Sequence, residues 1–506
     1  MGLARTNAES RPLITTSLPS IEQSLPTQKD LYYAGGWHKP RNGDYRDTFN
    51  PGNGQVIDKI SHAGVDDTVA AIEAANKAFP TWRATPPQQR AATMRKAATV
   101  LREHASDLAL LDAYNTGNPV AEMLADANVA AAQLDYFAGL IPMLKGETIP
   151  GADDHFHYTL REPLGVVARI VAFNHPVMFA AGKMAAPLAA GNTVIVKPPE
   201  QAPLSCLRLA EIFADVFPPG VVNVLPGGGE CGKTLSSHRL VRKVTLIGSV
   251  LTGRAIARSA ADTLKPTLFE LGGKNALIAF PDADMEKLVV GISRGMNFTW
   301  AGQSCGSTSR VFLHDSIHDE VLDKVVNYVK ANFKPGVPTE MATTMGPVIS
   351  KAAEERVLGY IESGKQEGAK LVCGGRKPDG DDKIKGGYFI EPTIFSNVKP
   401  EMKIAREEIF GPVMSIFKWT DEAEMLKQVN DTEYGLTASI YTRDIATAQD
   451  VVRKVEAGFV WVNQVGRHFL GVPFGGYKES GGGREESFEE MLSFTQMKTV
   501  NVSIAR

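Results

Sequence analysis

The chain has little cysteine: Cys206, Cys231, Cys305 and Cys373 are the only four among 506 residues, and no two form a C-x-x-C pair. That scarcity argues against a disulfide framework and a structural zinc site, and it fits a reducing compartment. Net charge is nearly absent as well. With 54 Lys and Arg against 57 Asp and Glu, and no long run of either sign, nothing draws the chain to nucleic acid or an anionic membrane. A small neutral molecule is the expected partner. No run of about 18 apolar residues offers a transmembrane helix. Residues Met1 to Asp30 lack the apolar stretch of a secretory signal, so they read as a flexible arm on a cytoplasmic protein. The pairs His155/His157 and His314/His318 lack a third ligand at suitable spacing, so no metal site is expected.

What is present is alternation. The length exceeds what one core organises, so two or three packed units are expected. Asp66 caps a helical pattern, and Pro87 opens a second, longer one running to about Leu111. Val/Ile-rich runs then alternate with helical stretches: GVVARIVAF, TVIVKP, VVNVL, VRKVTLIG and PTLFEL. Such a series means a parallel sheet wrapped by helices. A second α/β series begins near Asn275 and includes RVFLH (310–314), ASIYT (438–442) and GFVWVN (458–463). The glycine-rich stretch 374–387 reads as a solvated hairpin. The fold class is therefore α/β, with two α/β domains.

In NFTWAGQSCGSTSR (297–310), Cys305 sits among small residues just before a predicted strand, which leaves room for a substrate. A lone cysteine is more often an inert buried residue. Glu270, in FELGGKN, stands at a strand end where two glycines let the backbone turn and approach another group; alone it could equally be a solvated charge.

The motifs GQSC, FELGGKN, the FN of AFNHP, KPPE, EEIFGP and PFGGYKESGGGRE occur in the order seen in aldehyde dehydrogenases, and the chain resembles that superfamily from about Tyr33 to near its C-terminus. The resemblance implies a Rossmann-like NAD-binding domain (31–140 and 161–274) and a catalytic domain (275–486). It also implies a small β element for oligomerisation (141–160 and 487–506), giving a homodimer or homotetramer. Cys305 would be the nucleophile that attacks as a thiolate, with the Asn174 amide holding the oxyanion and Glu270 activating water to hydrolyse the thioester. Relatives that acylate coenzyme A usually lack that glutamate. A coenzyme A-acylating or semialdehyde-specific enzyme, or an idle binding relative, are the alternatives.

No convincing G-x-G-x-x-G follows the first strand. Instead Gly248 and Ser249, opening a helix after VRKVTLI, suit a pyrophosphate. By resemblance Lys197 and Glu200 contact the adenosine ribose, Glu200 favouring NAD over NADP. Phe173, Gly229, Leu271, Glu408 and Phe410 complete the cofactor set. Departures concern the pocket. Phe173 replaces a common Trp, His175 follows Asn174, and Ser307 stands where a smaller or amide residue is typical. His175, Phe179, Gly182, Arg467, His468 and Phe474 are expected to line it. Gly182, where relatives often carry bulk, implies a wide tunnel for an aromatic aldehyde, and Arg467 could pair with a substrate carboxylate.

Overall fold

The computed structural model describes residues 18–380 and 382–504. Most of the expected flexible arm (1–17) lies outside the described residues. From Leu18 the chain is docked rather than free. Ser20 and Gln23 cap a short helix, Ile21–Ser24, and Glu211 accepts hydrogen bonds from Thr27 and Gln28, both at 2.7 Å.

A hairpin of β1 (Leu31–Tyr33) and β2 (Gly36–His38) leads to helix α1 (Val65–Ala84). Gly64 rather than Asp66 is its N-cap residue, and Asp67 accepts the Gly64 N–H at 3.1 Å. The expected long helix after Pro87 is two, α2 (Pro87–Glu103) and α3 (Ala105–Thr116). His104 leaves helical geometry at the junction, and its Nδ1 contacts Asp107 at 3.1 Å in the next helix's first turn. Neither Pro nor Gly marks this break, so sequence punctuation could not reveal it. α4 (Val120–Leu140) follows after Pro119.

The chain then forms an outlying hairpin of β3 (Thr148–Ile149) and β4 (His155–Pro163) before entering the first sheet. Its parallel centre consists of β5 (Val166–Ile170), β6 (Thr193–Lys197), β7 (Val222–Val224), β8 (Val241–Ile247) and β9 (Thr267–Glu270). Every residue of β5 and β6 is buried, as expected for parallel strands covered on both faces. Chain order runs from β5 through β6 to β7 on one side and then restarts at β8 on the other. The reversal between β5 and β8 is the topological switch point at which such sheets bind ligands. Because the strands are parallel, the segments after Ile170, Lys197, Ile247 and Glu270 all leave from one edge.

The second sheet uses β10 (Ala276–Ala279), β11 (Arg310–His314), β12 (Lys370–Cys373), β13 (Thr393–Ser396), β14 (Val413–Trp419), β15 (Thr437–Tyr441) and β16 (Phe459–Val462), ordered β12-β13-β14-β11-β10-β15-β16. All pairings are parallel except β12 with β13. The 374–387 loop therefore does join an antiparallel pair, although Ile384 within it is buried. A short strand, β17 (Gly481–Gly482), returns from the second unit to pair with β9 beside Glu270. Finally β18 (Thr495–Ser503) pairs with β4 over nine residues and leaves its other edge unpaired. Among the described residues no helix is long and apolar enough to cross a membrane.

Candidate active site

Glu270 ends β9, and the next three residues let two other segments approach. Gly273 N–H donates to Glu408 Oε1 at 2.9 Å. A β-carbon on Gly272 would lie 2.1 Å from Glu408 Oε2 and displace that carboxylate, and one on Gly273 would lie 2.7 Å from the Cys305 carbonyl, too close to a backbone atom to be tolerated. Leu271 is tied down through its N–H to the Ser480 carbonyl at 2.9 Å. Asn275 Nδ2 then holds the Cys305 loop by its carbonyls, 2.6 Å from Cys305 O and 3.0 Å from Ser307 O. The Ser307 hydroxyl turns inward to Asn297 and Gly302, so it braces the loop.

The Glu270 carboxyl lies close enough to the Cys305 thiol for each to shift the other's proton affinity, while Glu270 Oε1 is buried with no hydrogen-bond partner among the described residues and Cys305 is only half-buried. Burial pushes the Glu270 carboxyl up to about 8. Burial and the neighbouring Glu270 charge push the Cys305 thiol well above its ordinary value. Both shifts favour the protonated forms of the two groups.

Asn174 follows β5 and is buried, fixed through its main chain: Asn118 Nδ2 donates to the Asn174 carbonyl at 2.8 Å. Its side-chain amide makes no hydrogen bond among the described residues, and only Oδ1 is sealed from solvent, which leaves Nδ2 as an uncommitted donor. Phe173 meets Phe410 edge-on at 5.8 Å, and Phe410 holds a left-handed backbone, φ 49°. Glu408 beside it is pushed up to about 7 by burial, partly offset by the Gly273 N–H. The Cys305 thiol and the Glu270 carboxyl thus face one another where the two sheets meet, an arrangement suited to addition at a carbonyl carbon.

The remaining cofactor candidates line the same edge of the first sheet. Lys197 is buried and donates to the Pro198 carbonyl at 3.1 Å. Glu200 lies at the surface, 3.2 Å from His62 Nε2 and 3.7 Å from Arg46 Nη1, two contacts that sequence reading missed. Helix α5 (Gly229–Ser237) starts next to it: a β-carbon on Gly228 would meet Glu200 at 2.5 Å, whereas Gly229 faces open space. Gly248 N–H donates to the Glu270 carbonyl at 3.1 Å, and Ser249 Oγ caps helix α6 (Val250–Ala261) by accepting from Thr252 N–H at 3.3 Å.

On the substrate side, His175 Nδ1 lies 2.6 Å from Asp126 Oδ2, and its ring rests on Phe179 (5.3 Å) and Trp300 (5.6 Å). Gly182 does not widen the cleft: a β-carbon there would lie 1.8 Å from Gln133 Oε1, so the buried Gln133 side chain of α4 fills that room. Arg467 is exposed, lies over the Phe469 ring at 4.9 Å and has no carboxylate partner among the described residues. His468 is drawn the other way. Its ring packs on the buried Phe474 (4.5 Å) and its Nδ1 contacts Glu486 at 3.0 Å. Behind it runs a buried ionic network. Lys183 reaches Glu485 at 3.0 Å and Glu486 at 3.2 Å, and Arg169 reaches Glu490 at 3.0 Å. Burial alone would raise the Glu486 carboxyl, but Lys183 and His468 outweigh it and hold it at about 2. The acidic run after PFGG and the lone Lys183 in an apolar stretch were the available sequence signals for this network.

A model of the aldehyde dehydrogenase family matches residues 37–500. The chain belongs to the aldehyde dehydrogenase family. Aldehyde dehydrogenase tropH of Talaromyces stipitatus is 60% identical to it over 493 residues, covering 96% of each chain. Among solved structures, the NAD+ complex of a Bacillus cereus aldehyde dehydrogenase is 37% identical with a TM-score of 0.93, covering 97% of this chain and 100% of that one. Betaine aldehyde dehydrogenase of Staphylococcus aureus, solved with NAD+, is 35% identical with a TM-score of 0.92, covering 96% of each. This aldehyde dehydrogenase thus has the α/β fold read from its sequence, and its class of chemistry is aldehyde oxidation.

Proposed function

We propose that the enzyme uses NAD to oxidise an aromatic or carboxylate-bearing aldehyde to the free acid, through a covalent intermediate on Cys305. The observation that carries this reading is the Cys305 thiol lying beside the buried Glu270 carboxyl, with the Asn174 amide uncommitted. As the sulfur adds to the aldehyde carbon it gives up its proton, and because Cys305 is only half-buried, solvent can take that proton as well as Glu270. Charge then grows on the former carbonyl oxygen, where Asn174 Nδ2 and the Cys305 N–H can donate. Losing one such donor costs about 3 kcal/mol.

The edge of the first sheet fits the cofactor. Two helix starts there, at Gly229 and Ser249, offer N–H groups to a pyrophosphate, and Gly229 leaves the approach clear. Lys197 and Glu200 would hold the adenosine ribose, Glu408 the second ribose, and Phe173, Leu271 and Phe410 the nicotinamide end. When bound, NAD supplies the hydride acceptor that turns the thiohemiacetal into a thioester. Glu270, its proton released to solvent, then takes a proton from water as that water attacks the thioester carbon, and the C–S bond breaks to free Cys305. A buried carboxyl near 8 is matched to that duty around neutral pH. A base so placed supports hydrolysis over transfer to coenzyme A.

For the substrate, the support is now the aromatic wall of Phe179, Trp300, Phe469 and Phe474 and the unpaired Arg467, since Gln133 removes the argument from width. Residues 31–140 with 161–274 would form the NAD-binding domain and 275–486 the catalytic domain. The sheet of 141–160 and 487–506, with its open β18 edge, would join subunits in a homodimer or homotetramer, and the enzyme would work in the cytoplasm. The deciding experiment follows NADH formation by Cys305→Ala with benzaldehyde, formylbenzoates and succinic semialdehyde. The expected result is no turnover with NAD binding retained; turnover at a rate comparable to the native enzyme would overturn the reading.

A further inference from the structure

Helix α4 is alanine-rich where it packs against the 178–182 segment, yet it places two buried polar side chains there, Asp126 and Gln133, either side of Ala130. On a helix, positions i, i+4 and i+7 share one face, so these three form a line about 10 Å long. Asp126 is committed to His175 Nδ1 at 2.6 Å, a contact that fixes the imidazole and assigns the Nδ1 proton to this bond. The other ring nitrogen, Nε2, has no partner among the described residues and is not sealed from solvent. In the neutral ring it is an acceptor. Trp300 packs against the ring, with centres 5.6 Å apart, and its Nε1–H is sealed from solvent with no acceptor among the described residues. A purely structural His–Asp pair would not explain the open Nε2. His175 immediately follows Asn174 in the chain.

An acceptor open to solvent takes a proton from a donor on the ligand, and on an aromatic aldehyde the simplest such donor is a hydroxyl. We propose that His175, oriented by Asp126, is a specificity-determining residue that binds a hydroxyl substituent of the substrate, making hydroxylated aromatic aldehydes the preferred class. The inference rests on the reading of Cys305 as the point of attack, which sets the aldehyde end of the cleft. It is separate from Arg467, whose exposed cation would read a carboxylate. Asp126 acts as a positioning residue through His175, and Gln133 bounds the far end of the same wall.

The test reads binding rather than turnover. In a Cys305→Ala background, which removes the reacting sulfur, the affinities of the three hydroxybenzaldehydes and of their methoxy counterparts are measured by titration calorimetry. At least one hydroxy isomer should bind about fivefold to tenfold more tightly than its methoxy partner, the size of one net hydrogen bond. Adding His175→Phe should bring that ratio to near one. Adding Asp126→Asn should lower it less, because the ring is kept but loses its orientation. Methoxy binding by each variant reports that the cleft is intact. A ratio that survives His175→Phe, or equal affinities within every pair, would overturn the proposal. Absence of aldehyde oxidation by the native enzyme would instead strike the proposed function and leave this binding result standing.

Discussion

Glu270 and Glu486 are both buried carboxyls, yet their surroundings drive them in opposite directions. Glu270 ends a strand beside the Cys305 thiol, and burial raises it to about 8. Glu486 sits behind the substrate wall between Lys183 and His468, and despite its burial it is held at about 2. Burial without a counter-charge yields a carboxyl that keeps its proton to near neutral pH, whereas burial beside a lysine and a hydrogen-bonding histidine yields a fixed anion that braces the fold. The same residue type thus meets two opposite environments.

The strongest way to break this comparison is at Glu270. Glu270→Gln should lower steady-state turnover by about 10²–10⁴-fold while sparing the first NADH formed per site, which rapid-quench kinetics would detect. In the native enzyme, kcat should rise with pH and level off above about 8 as Glu270 loses its proton. A profile flat from pH 6 to 9 would contradict the assignment. Next comes Asn174→Ala, expected to cut kcat by about 10²–10³-fold with little change in NAD affinity.

On the architectural side, Lys183→Met leaves Glu485 and Glu486 short of a buried partner and should destabilise the fold by about 3–5 kcal/mol in denaturant titrations. The pH dependence of stability should separate the two carboxyls. Glu486 is depressed in the folded state, so its contribution is present above its unfolded value and is lost as pH falls towards 2. Glu270 is raised, so the folded form binds the extra proton between its unfolded value and about 8, and stability falls as pH rises through that window. Glu270→Gln should therefore raise Tm at pH 8.5, and Glu486→Gln should lower it at pH 7. The smallest expected effect is at the mouth: Arg467→Ala should raise KM for formylbenzoates about fivefold, in line with the loss of one exposed ion pair.

The sequence made one side of this comparison legible and hid the other. Glu270, Asn174 and Gly248 lie at strand ends, where Val/Ile runs stop at Gly, Asn or Pro, and a parallel sheet brings such ends to one edge. Cys305 could be recognised from its small neighbours and the accompanying motifs. The Lys183–Glu486 network, the Asp126–His175 pair and the Gln133 side chain filling the Gly182 space each join distant segments through contacts that no local pattern encodes. Reading Gly182 alone therefore suggested width that its neighbour removes. Likewise, reading the nucleophile from its motif disregarded burial, which pushes the Cys305 thiol up.

The most direct test is the intact mass of Glu270→Gln quenched within one turnover of mixing with NAD and benzaldehyde. Division of labour between sulfur and carboxylate predicts a benzoyl adduct that maps to Cys305 and persists because its hydrolysis is slowed. Unmodified protein together with continuing NADH production at the native rate would contradict it.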